Sequence, residues 1–193
     1  MADQTKAQAK LVQYLTEAHG KEKELETALT AHIGMATRAP YKKRLEQHLK
    51  ETRQHAKLTE RRLKKLGGSV GVVGKAGELA SRGVAATKGP LHAVRGIGEE
   101  EVQLKNAKTE YSEEHEEIAQ YTAIETLATE VGDDETAKLA RQIRREEERM
   151  AGFLERQIPV LARAVARAEI PASERKSSRP TRRRSRRQSR SGS

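Results

Sequence analysis

The sequence has no cysteine, no tryptophan, one phenylalanine and four tyrosines. Without cysteine there is no disulfide, no thiolate nucleophile and no cysteine-ligated zinc. Aromatic residues make up 3% of the 193 positions and hydrophobic residues 35%, too little β-branched and aromatic bulk for a sandwich or barrel. No stretch approaches ~18 uncharged apolar residues, so no segment is expected to span a membrane. The first residues, Met1 to Lys6, lack the apolar run of a signal peptide. No nucleophile–base pair, phosphate loop or dinucleotide fingerprint is present, and the glycines at 67–74 lack the Gly-Lys-Ser/Thr ending. A soluble, cytoplasmic protein is expected.

What the sequence has is Ala, Leu, Glu, Lys, Arg and Gln, the residues of long helices. Apolar positions at helical spacing and the breakers between them predict helices over about 3–33, 41–66 and 99–131. A fourth is capped by Asp133 or Asp134, meets Pro159 near 158 and carries on, kinked, to about 169. Two hairpins joined by a long connection make an all-α four-helix bundle, with 1–170 as the bundle and 67–98 as the crossover, a loop with a short helix packed on the bundle. Residues 171–193 read as a disordered Arg/Ser-rich tail. The net charge of +10 concentrates there: residues 175–193 hold nine Lys or Arg and no acid, which leaves 29 basic against 28 acidic residues in the rest.

Acids interrupt the apolar stripes. Glu22 stands within Leu11, Leu15, Ala18, Leu25, Leu29 and Ile33, and Glu147 within Leu139, Ile143, Met150, Leu154 and Leu161. In the third helix Glu114 shares a face with Ala107, Tyr111, Ile118 and Tyr121, with Glu117 one turn on. The second helix turns His48, Thr52 and His55 inward, with Glu51 at the edge between the histidines. Heights agree as well. Counting fifteen residues each way from Thr37 gives Glu22 and Thr52, beside Glu51; from Gly132 it gives Glu117 and Glu147. Each lies ~22 Å from its loop at 1.5 Å per residue, close to mid-bundle. Several carboxylates buried at one height need protons or cations. Carboxylates with imidazole suit iron or manganese, and bundle cores hold such metal pairs. The expected ligands are Glu22, Glu51, Glu114, Glu117 and Glu147, with His48 or His55. Tyr111 and Tyr121 are expected as core aromatics.

The segments Tyr14–Glu22, His48–His55, Glu114–Tyr121 and Ile143–Glu148 resemble, in order and spacing, the YciE/YciF-type ferritin-like family over about residues 10–160. The resemblance implies a ferritin-like bundle, a dinuclear iron site with two irons per chain, a tendency to dimerise and stress-response links. It also implies ligand roles: Glu22 matches the first-helix ligand, Glu114 and Glu117 the Glu-x-x-Glu of the third, and Glu147 the fourth-helix ligand. Two departures stand out. Glu51 has Gln54 where a Glu-x-x-His motif has histidine, with His55 one residue later, and Glu147 has Met150 at that offset.

The tail arginines Arg179, Arg182, Arg183, Arg184, Arg186, Arg187 and Arg190 are expected to attract DNA or RNA through counterion release. No aromatic residue interleaves them to stack on bases.

Overall fold

The computed structural model describes residues 5–69 and 98–175. Its four helices are α1 (Lys6–Met35), α2 (Ala39–Lys65), α3 (Glu99–Glu130) and α4 (Asp134–Glu169). Local chemistry accounts for the ends. Thr5 and Gln8 form a reciprocal capping box on α1. Pro40 falls in the first turn of α2, where its missing N–H costs nothing. Glu99, Glu100 and Glu101 occupy the first turn of α3 and complement its dipole. Two glycines with positive φ, Gly67 (78°) and Gly132 (73°), close α2 and α3. In each case the next residue's N–H reaches five residues back: Gly68 to the Leu63 carbonyl (2.9 Å) and Asp133 to that of Ala128 (2.8 Å). Asp133 then caps α4 by accepting from the Thr136 N–H at 3.0 Å, so the turn between α3 and α4 is only three residues long.

One expected boundary moves, and the continuation expected past Pro159 is present. α1 passes through Gly34 and stops at Ala36, since a glycine in the last turn weakens a helix without ending it. α4 carries Pro159 inside one continuous helix to Glu169. The proline is exposed and forfeits one backbone bond, while Leu161 and Ala164 beyond it are buried and hold the continuation. Residues 70–97 of the expected crossover and 176–193 of the tail lie outside the described residues.

All neighbouring helices run antiparallel. Pairings Glu26–Arg53 and His19–Ala56 set α1 against α2; Lys21–Glu116 and His32–Glu110 set α1 against α3. Arg62–Thr136 and His55–Glu146 set α2 against α4, and Glu125 with Arg141 and Arg144 sets α3 against α4. Arg62 pins the end of α2 to the α3–α4 turn through Asp133 and Glu135, while Arg38 ties the α1–α2 turn to Glu100 at the start of α3. The two ends of the connection between α2 and α3 therefore lie at opposite ends of the bundle, as the long crossover requires. One apolar cluster, with Leu29, Leu45, Leu49, Met150 and Leu154, fills the end near the α1–α2 turn. Another, with Leu15, Leu63, Ile124 and Ile143, fills the other half. Between them lies a polar layer.

Candidate metal centre

The layer takes a residue from every helix. Glu22, His48, His55, Glu114, Glu117 and Glu147 are all at most 2% exposed, and Thr52 beside them is equally buried. Each occupies a position that an apolar side chain would fill if the stripes ran uninterrupted, so helix packing alone drives them inward.

The side chains form two triads sharing one member: Glu22, His55 and Glu147, and His48, Glu114 and Glu147, the ligand atoms of each lying within 4.8 Å of one another. Glu147 turns one oxygen to each side. Its Oε1 is 2.8 Å from His55 Nδ1, whose distance to Glu22 Oε1 is 3.6 Å. Its Oε2 is 3.7 Å from His48 Nε2, which lies 2.9 Å from Glu114 Oε1. These approaches lack hydrogen-bonding alignment. Glu22 Oε2, His48 Nε2, His55 Nδ1, Glu114 Oε2, Glu117 Oε1 and both oxygens of Glu147 are buried with no hydrogen-bond partner. Leaving so many buried polar atoms unpaired costs ~1–3 kcal/mol each, and lone pairs that converge without bonding one another are what metal ligands present.

Electrostatics agrees. Burial raises Glu22 to about 8, against the pull of His55. Burial likewise raises Glu114 to about 7, opposed by His48. Glu117 is pushed well up by burial and by the charges of Glu22, Glu147 and Glu114. In Glu147 burial acts upward too, but His55 and His48 outweigh it and its carboxyl stays below the ordinary range. Burial disfavours charge on both histidines, yet Glu114 and Glu51 lift His48, and Glu147, Glu22 and Glu146 lift His55 to about 9. A bound cation could take the place of these protons. Four carboxylates with two neutral imidazoles balance two divalent ions in charge, and the donor set is that of iron or manganese.

Both expected histidines enter the layer, one in each triad. Glu51 stands outside both. Its carboxylate accepts from Arg44 (3.0 Å) and Gln47 (2.9 Å) and lies 3.2 Å from His48 Nδ1, the ring nitrogen facing away from the triad. Glu146 does the same for His55, 2.8 Å from Nε2. No spacing signal marked that role, because Glu146 and Glu148 flank Glu147 as equivalent neighbours. Tyr121 is a core aromatic as expected, and its hydroxyl donates to Glu22 Oε1 at 2.6 Å. Tyr111 is half-buried against the apolar cluster near the α1–α2 turn. A second buried group went unforeseen: Glu110 accepts from the Tyr41 hydroxyl at 2.6 Å and lies 2.8 Å from His32 Nδ1. The available signal was spacing, since Glu110 precedes Glu114 by one helical turn. The tail arginines fall outside the described residues.

Solved structures resemble the fold. A Xanthomonas campestris pv. campestris protein shares 28% identity over 86% of this chain and 99% of its own, with a TM-score of 0.68. YcfI of Rhodopseudomonas palustris shares 21% over 80% and 96%, TM-score 0.61. The E. coli stress protein YciF shares 18% over 84% and 99%, TM-score 0.58. No curated protein matches the chain. The family described as a domain of unknown function, DUF892, matches residues 6–167, a span that takes in all four helices nearly whole and both triads. The chain belongs to the DUF892 family, the YciE/YciF-type group whose likeness its helix segments carry.

Proposed function

We propose that the bundle holds two divalent metal ions, iron in the first instance and manganese as the alternative, in a carboxylate-bridged site that protects against iron or peroxide stress. One observation carries the reading: the two oxygens of Glu147 face separate Glu/His pairs, and both of them, with His55 Nδ1, His48 Nε2, Glu22 Oε2 and Glu114 Oε2, are buried without a hydrogen-bond partner. Glu147, common to both triads, would be the residue shared by the two ions. Glu22 with His55 serves one ion, His48 with Glu114 the other, and Glu117 supplies the fourth negative charge. Glu51 and Glu146 hold the outer ring nitrogens of His48 and His55, which fixes ring orientation and leaves Nε2 and Nδ1, respectively, free for metal. Tyr121 fixes Glu22 through one oxygen and leaves the other free. Bound iron would supply one-electron chemistry toward dioxygen or peroxide; the apolar clusters above and below exclude bulk water.

The test is anaerobic titration with Fe(II), counting iron per chain. The expected result is two in the wild type and none held tightly by Glu147→Ala. No stoichiometric iron or manganese would overturn the reading.

A second reading rests on the nine Lys or Arg of residues 175–193: binding of DNA or RNA without sequence preference, steeply dependent on salt. Assembly as a homodimer belongs to the same proposal, with light scattering as its check.

A further inference from the structure

The balance of 29 basic against 28 acidic residues before the tail conceals an uneven distribution. Glu22, Glu110, Glu113, Glu114, Glu117 and Glu147 are buried, so their charges are spent inside the bundle. The exterior is left with an excess of cations, and these collect on two neighbouring helices. On α2, Lys43, Lys50 and Lys57 recur every seven residues, are exposed, and make no ion pair with any described residue. Arg149, Arg156 and Arg163 recur at the same interval on the exposed side of α4. Of these only Arg149 has an acidic partner among the described residues, Glu146 at 3.8 Å.

The two rows run in register. The contacts His55–Glu146 and Arg62–Thr136 place Lys43 at the height of Arg156, and Lys50 at that of Arg149. Successive rungs are ~10.5 Å apart at 1.5 Å per residue, and packed helix axes lie ~8–10 Å apart. α4 leads in sequence directly toward the arginines of 175–193.

We infer that the α2–α4 face of the folded bundle is itself a docking surface for the phosphate backbone of duplex nucleic acid. Charge complementarity selects this occupant. A membrane-surface helix also needs an apolar face to bury in lipid, but the apolar sides of α2 and α4 are committed to the core, and the exposed large hydrophobics among the described residues are only Val131, Val160 and Ile170. A second copy offers no matching acidic row of three: the exposed acids of α3 are Glu99, Glu116 and Glu130, too sparse to meet a cation every seven residues, and the exposed pair at that interval on α4, Glu148 and Glu155, lies beside its own Arg149 and Arg156. Sequence-independent contact by lysine and arginine rows releases counterions, and each phosphate neutralised adds ~0.9 to the slope of log affinity against log salt. The surface is separate from the metal layer and independent of the tail.

The test is fluorescence anisotropy of the full chain with a random-sequence DNA duplex across a salt series. Four proteins are compared: wild type; Lys43→Gln/Lys50→Gln/Lys57→Gln; a control of equal charge change, Lys10→Gln/Lys105→Gln/Lys108→Gln, on α1 and α3; and a tail-neutralised chain with Arg182, Arg183, Arg184, Arg186 and Arg187 changed to Gln. Circular dichroism verifies that each is folded. The expected result is a salt slope shallower by about 2–3 in the α2 variant, little change in the control, and measurable binding that survives in the tail-neutralised chain. Equal losses in the α2 variant and the control, an unchanged slope in the α2 variant, or complete loss on neutralising the tail would overturn the inference. So would an α2 variant that keeps its DNA affinity and loses binding to phosphatidylserine vesicles.

Discussion

Glu147 faces both triads, so its replacement separates the site's cost from its purpose. Glu147→Ala removes the residue common to both triads and is expected to abolish metal uptake, whereas Glu22→Ala alters one triad alone and is expected to leave about one ion per chain, counted by elemental analysis. Without metal the same carboxylates are a burden. Glu22 and Glu114, raised from 4.5 to about 8 and about 7, hold protons in the folded chain that they lose in the unfolded one. Each therefore lowers stability as pH rises, Glu22 between about pH 4.5 and 8 and Glu114 between about pH 4.5 and 7. His55, raised from 6.5 to about 9, adds stability below 6.5 that is lost as pH climbs through 9. Glu147, held below its ordinary value, acts oppositely, but its contribution is lost only on acidification below the usual carboxylate range. Metal-free protein should thus melt lower at pH 8.5 than at pH 5.5, while metal affinity rises over the same interval because ligands must shed protons to bind. A melting temperature that rises with pH without metal would contradict these assignments.

At the scale of elements, hairpin geometry was legible because two short turns set the count. Glu22 and Thr52, and Glu117 and Glu147, reach one height only if each hairpin turns where Thr37 and Gly132 stand, and they do. Less legible were contacts made across helices. Glu51 interrupts no apolar stripe and lies at an edge, so spacing alone could not tell a ligand from a residue that orients His48; only the position of the His48 ring separates them. The continuation past Pro159 was legible, because Leu161 keeps the helical spacing beyond the proline, and Leu161 and Ala164 are buried there. Two element-level changes are measurable. Arg62→Ala strips partners from Thr136, Asp133 and Glu135 where α2 meets the α3–α4 turn, and urea unfolding should show a loss of about 2 kcal/mol. Gly132→Ala forces a side chain into φ 73°, for a loss of about 1 kcal/mol.

For the whole molecule, the buried layer exchanges stability for binding capacity. Two apolar clusters hold the bundle at either end, with the polar layer between them. Saturating metal at a hundredfold excess over its dissociation constant adds about 2.7 kcal/mol per site, so melting should rise by several degrees on loading and fall again with a chelator; no shift would mean that the layer is stable as protonated carboxylates alone. Among the described residues no helix is long and apolar enough to cross a membrane. The charge distribution was only half legible in the sequence, because composition counts buried and exposed acids alike and the near-neutral sum hid a basic exterior.

The measurement that reaches the central claim most directly is anomalous diffraction at the iron edge from crystals loaded with Fe(II) under anaerobic conditions. Two peaks per chain are predicted, one between Glu22 and His55 and the other between His48 and Glu114, with Glu147 between them. No peak in the layer, or a single peak that leaves one triad without metal, would contradict the paired site.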